Sequence, residues 1–217
     1  MKHVLTLLIS VVYSTHFFAQ ESLYSFVNGN IQVGNTSFVC SNVGNYTDIT
    51  PYSNVATYSF TSYSNNYELK LQNYKDWETD GGDFRIIKLY HNGNLLLEFE
   101  DSEAWRKPYK GYSNNYSTLT DYCIVYPIEN NATALIFEGY PWSSQAPLLT
   151  IIVIKDNKAK VVFNQSWVIE SFIPRSKGFE LIIEKEYLEF NNSNSQYLDR
   201  HRIYTTSDGT MKFEKVN

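Results

Sequence analysis

Apolar residues in this chain come in short runs, and the runs fold back about pairs that accept positive φ: Asn28-Gly29, Asn92-Gly93, Asp156-Asn157 and Asp208-Gly209. Successive pairs start 64, 64 and 52 residues apart. A type I′ turn needs positive φ at both central residues, so each flanking pair of runs predicts a β-hairpin. Hairpins on a schedule predict repeated all-β units.

Three units of four strands result. The first, within 55–100, runs Val55 to Thr61, Tyr67 to Tyr74, Phe84 to Tyr90 and Leu95 to Phe99. The second, within 122–164, runs Tyr122 to Pro127, Thr133 to Glu138, Leu148 to Lys155 and Ala159 to Phe163. The third, within 168–217, runs Val168 to Ile173, Phe179 to Glu186, Leu198 to Thr205 and Met211 to Val216. Consecutive antiparallel strands in fours are how a β-propeller blade is made, so an open partial propeller is expected, with a β-sandwich or jelly roll as the alternative. Residues 20–54 form an N-terminal hairpin, Leu23 to Val27 with Asn30 to Val33, and a connecting loop; the hairpin is expected to be half of a further blade. Residues 20–217 together make one all-β domain.

Residues 1–19 read as an export signal: Lys2 is the positive start, Val4 to Val12 the apolar core, and Ala19 the small residue before a cut at Gln20. The protein is therefore expected in the periplasm or outside the cell. No later run has the length of a membrane helix, and Leu148 to Ile154 has that of a buried strand, so no membrane insertion is expected.

Composition narrows the partners. Eighteen Tyr and thirteen Phe against two Met favour strands over helices. A net charge of −5 with no Lys/Arg cluster excludes nucleic acid and an anionic membrane surface as partners. Cys40 and Cys123 are expected to form one disulfide in an oxidising compartment. Neither belongs to a Cys-x-x-Cys pair, which leaves thiol redox and zinc chemistry without support.

One acidic stretch stands out, Asp76-Trp-Glu78-Thr-Asp80-Gly81-Gly82-Asp83. Alternating carboxylates before a Gly gather hard oxygen ligands, as a calcium loop does. The stretch resembles the Asp-x-Asn-x-Asp-Gly-x-x-Asp loops of integrin-type and VCBS-type propeller repeats, which also precede an outgoing strand. The resemblance implies Asp76, Glu78, Asp80 and Asp83 as calcium ligands. Glu78 departs from that pattern, and the last Asp comes one position early. The competing reading is a solvated acidic turn with no cofactor.

Catalytic signatures are thin. Beyond the signal only His91 and His201 remain, the first in a turn and the second expected to face outward among charged neighbours. There is no Gly-x-Ser-x-Gly, no His-x-x-x-His and no Gly-rich phosphate loop, so no enzyme is expected. A carboxylate pair could still cleave a glycoside, and Glu138 at the end of an apolar strand is the candidate worth naming. Aromatic residues supply the rest. Trp105, Tyr109 and Tyr112, in the loop 102–119, together with Tyr140 and Trp142, form the candidate binding face for a protein or a glycan. The leading expectation is a secreted, soluble binding module. A carbohydrate-binding module or glycoside hydrolase is the second reading, and an inhibitor or structural protein using an exposed strand edge is the third.

Overall fold

Asn28-Gly29, Asn92-Gly93 and Asp156-Asn157 hold both residues at φ between 48° and 80° in the computed structural model, as type I′ turns require. Tyr63-Ser64 (46° and 67°) and Asn130-Asn131 (59° and 55°) do the same. Asp208-Gly209 closes its hairpin differently. Only Gly209 has positive φ, its N–H donates to Thr206 O at 3.0 Å, and the Asp208 carboxylate accepts from Thr210 N at 3.0 Å. This is a type I turn followed by a left-handed Gly, so the expected hairpin forms without the expected turn type.

The structure describes residues 20–34, 52–75, 83–105, 122–139, 148–187 and 196–216. The N-terminal hairpin is β1 (Glu21–Val27) and β2 (Asn30–Val33). The first unit is β3 (Tyr52–Ser62), β4 (Asn65–Tyr74), β5 (Phe84–His91) and β6 (Asn94–Trp105). The second is β7 (Ile124–Ile128), β8 (Ala132–Glu138), β9 (Leu148–Lys155) and β10 (Lys158–Ser166). The third is β11 (Val168–Arg175), β12 (Gly178–Tyr187), β13 (Gln196–Thr205) and β14 (Met211–Lys215). Every expected strand is present, each unit is an antiparallel meander, and none of the described sheets closes into a barrel.

The N-terminal hairpin corrects one expectation. β1 pairs with β14, Tyr24 opposite Met211, giving a six-stranded sheet in the order β11-β12-β13-β14-β1-β2. It extends the last unit instead of starting a blade. Burial explains the choice: Leu23, Tyr24 and Ile31 enter the same core as Phe179, Leu181 and Ile203.

The second unit is the middle layer. One face, with Ile136, Ile151 and Val153, packs on the six-stranded sheet, and the other, with Leu135, Phe137, Ile152 and Ile154, packs on the first unit. An antiparallel sheet commonly leaves one face to water and alternates accordingly. β4 does alternate, but β8 and β9 are buried almost throughout because both faces are covered. Each buried Leu, Ile, Val or Phe among them contributes roughly 1.5–3 kcal/mol of burial. The middle and six-stranded sheets also share chain: β10 passes into β11 through Trp167 alone. Trp167 is buried in their common core.

In a meander the first-to-second and third-to-fourth connections share one end of the sheet, and the remaining connection takes the other. All the tight turns therefore lie at one end. Tethers between sheets align these turns: Tyr63 Oη donates to Ile128 O (3.1 Å), Asn130 Nδ2 to Asp208 O (3.2 Å) and Lys158 Nζ to Asn30 Oδ1 (2.5 Å), and the Ser62 and Thr133 hydroxyls bond. The connections 35–51, 76–82, 106–121, 140–147 and 188–195 leave from the opposite end.

Candidate functional site at the loop-bearing end

Trp105 is the residue on which the two readings of this end part. Sequence places it in a binding loop; the structure places it at the end of β6, fully buried. Its backbone bridges Gly139, and its ring lies 5.6 Å from Phe84 and 5.7 Å from Phe99. Trp105 Nε1 donates to Thr150 Oγ1 (2.8 Å), Thr150 Oγ1 to Asn164 Oδ1 (2.5 Å), and Asn164 Nδ2 to Asp101 Oδ2 (2.8 Å). Trp105 is thus a core residue and leaves the ligand-binding set. A buried indole N–H needs a partner, and this chain supplies it while tying β6 to β9 and β10.

Trp105 and Gly139, bridged antiparallel, are the last described residues before the connections 106–121 and 140–147. Tyr109, Tyr112, Tyr140 and Trp142 belong to them and lie outside the described residues. Gly139 is required where the backbones meet, since a Cβ there would come within 2.8 Å of Ala104 O and Leu148 N.

Of the acidic quartet, Asp76, Glu78 and Asp80 lie outside the described residues, and Asp83 enters β5 beside a buried cation. Arg85 Nη1 donates to Asn73 Oδ1 (3.2 Å), and Asn73 Nδ2 donates to Asp83 O (3.1 Å). Burial lowers the Arg85 pKa from its ordinary value, while the Asp83 charge pulls it back up. Asp83 therefore already has a cationic neighbour. Among the described residues no group of three or more His, Cys, Asp or Glu is arranged to hold a metal.

His201 corrects the outward expectation. It lies on the inner face of β13, stacked on Phe213 at 4.6 Å and edge-on to Trp167 at 4.8 Å. Its Nδ1 is buried and, among the described residues, bonds to nothing. Asp199 is engaged by Lys215 Nζ at 2.7 Å. Among the described residues no carboxylate is hydrogen-bonded to the imidazole, which packs as an aromatic between Trp167 and Phe213. Cys123 is buried beneath this end, and its expected partner Cys40 lies outside the described residues.

The turn end offers an open depression of about 310 Å³ lined by Arg175, Lys177, Phe179, Glu180, Arg202 and Tyr204. Its guanidinium groups are occupied: Arg175 by Glu180 at 2.5 Å, and Arg202 by Glu214 and Glu180. No described helix is long and apolar enough to cross a membrane. Comparison with protein-family models, curated proteins and solved structures returns no match.

Proposed function

We propose that this protein is an exported, non-catalytic binding module that takes a protein or glycan at its loop-bearing end. The observation that supports this most is the segregation of connections: tight turns at one end, and at the other every connection that carries a candidate residue. Recognition in β-proteins is commonly carried by connections hung on a rigid sheet. Tyr109, Tyr112, Tyr140 and Trp142 belong to two connections that start from the bridged pair Trp105 and Gly139, and Tyr and Trp are the side chains that dominate binding hot spots.

Glycan-array binding and affinity capture, run on the wild type and on the pairs Tyr109→Ala/Tyr112→Ala and Tyr140→Ala/Trp142→Ala, test the reading. Ligand signal should fall in at least one pair with the unfolding midpoint unchanged, and persist in Lys177→Ala at the other end. Signal retained in both pairs, or lost in Lys177→Ala, would place the site elsewhere. Sugar release abolished by Glu138→Gln would replace the reading with glycoside hydrolysis.

A further inference from the structure

Open sheets expose edges, and proteins blunt them with short strands, prolines, bulges or charges. Five of the six described edges are blunted. β2 has four residues; β7 carries Pro127; β11 carries Pro174 and a bulge between Ile169 and Ser171. β10 carries Lys158, Lys160 and a bulge between Val161 and Phe163, and β6 carries Glu98, Glu100 and Asp101 and ends on Gly139.

The sixth, β3, is blunted only near its start, by a bulge between Asn54 and Ala56. It runs 11 residues with no Pro, Gly or charged side chain. After one irregularity between Asn54 and Ala56, it stays in unbroken register with β4 from Ala56 to Ser62. No described strand pairs with its outer side.

We propose that β3 is the interface of a two-fold homodimer, pairing antiparallel with β3 of a second copy about Ser59, so that two four-stranded sheets become one. The sequence of the strand argues for a second copy over another partner. With Ser59 opposite Ser59, Tyr58 faces Phe60 of the second copy on the inner side, and Thr57 faces Thr61 on the outer side. The inner residues Ala56, Tyr58 and Phe60 already pack on the core of the first unit, whereas Thr57, Ser59 and Thr61 are exposed. Aromatic pairs and Thr or Ser pairs are the favourable cross-strand combinations, and this one register supplies both without opposing like charges. A net charge of −5 does not oppose the contact, because none of it sits on the strand. The contact is independent of any ligand at the loop-bearing end.

Ser59→Lys and Ser59→Glu are the deciding variants, since the register sets each new charge against its own copy. Sedimentation equilibrium of the purified protein at micromolar concentration should give twice the chain mass for wild type and the chain mass for either variant, with self-association weakened at least roughly tenfold. Mixing the two variants should restore the dimer. Amide exchange at Thr57, Ser59 and Thr61, whose N–H groups alternate away from β4, should be slow in the wild type and fast in each variant alone. Circular dichroism of both variants should match that of the wild type. A monomeric wild type overturns the proposal. A dimer indifferent to Ser59→Lys, or variants that do not recombine, overturns it equally.

Discussion

The two ends of the molecule are held by different physics. At the turn end, five connections need only two residues of suitable φ, and the cross-sheet tethers are single hydrogen bonds at exposed or half-buried positions. At the loop-bearing end the strands are held by buried polar groups: Trp105 with Thr150, Asn164 and Asp101, and Arg85 with Asn73. Local chemistry suffices where the chain reverses in two residues. At the other end, the anchoring falls to tertiary networks whose members lie far apart in sequence.

Removing the anchor should produce the largest effect. Trp105→Ala deletes a fully buried ring and leaves its polar chain incomplete, so a loss of about 3–5 kcal/mol in denaturant unfolding is expected. Its counterpart at the turn end is Tyr63→Ala. That ring is 41% exposed and contributes one hydrogen bond to Ile128 O, so about 1 kcal/mol is expected. Equal losses would erase the distinction between the ends. Unchanged stability with lost ligand binding in Trp105→Ala would return that residue to the binding face.

Asn164→Ala sharpens the same contrast. It strips partners from both Thr150 and Asp101 in a buried setting, and about 1–3 kcal/mol should be lost. A loss below a few tenths would mean that water substitutes for the amide.

Two glycines separate steric from conformational demand. A Cβ at Gly139 meets two backbone atoms at 2.8 Å, so Gly139→Ala forces the Trp105 bridge apart and should cost about 1–3 kcal/mol. Gly93 has φ +80° and nothing within 4 Å of the added atom, so Gly93→Ala carries only the left-handed backbone term, about 1 kcal/mol. Thermal unfolding should rank them in that order, and the reverse ranking would show that Gly139 does not hold the two sheets together.

The same contrast explains what the sequence discloses. Asn-Gly and Asp-Asn mark hairpins because their side chains tolerate the turn locally, and the strands followed from them. Asn130-Asn131 is legible by the same rule, since Asn accepts positive φ. Tyr63-Ser64 is not, because a left-handed Tyr persists only where surrounding contacts over-determine it. Trp105 looked like loop surface because Glu98, Glu100, Asp101 and Glu103 precede it; nothing local reveals that Asp101 turns inward to Asn164, 63 positions away. The inward face of His201 was legible, since the strand period places it with the buried Ile203 despite charged neighbours on both sides.

The smallest expected effect comes from His201 and has a definite sign. Burial against Trp167 and Phe213 holds its pKa below the ordinary imidazole value; Asp199 opposes that shift, and Lys215 and Lys185 add to it. The unfolded chain therefore binds the proton more readily than the folded one, and stability rises with pH through this window. The stabilisation is complete above the ordinary imidazole pKa and is lost as the pH falls toward the lowered folded value. His201→Phe keeps an aromatic between Trp167 and Phe213, removes a buried nitrogen without a partner among the described residues, and cannot be protonated. Its unfolding midpoint should match or exceed that of wild type near neutral pH and should decline less on acidification toward pH 5. A wild-type decline that His201→Phe leaves untouched would move the acid sensitivity of this end to its carboxylates, with Asp199, held below its usual value chiefly by the Lys215 hydrogen bond, the first to replace in turn.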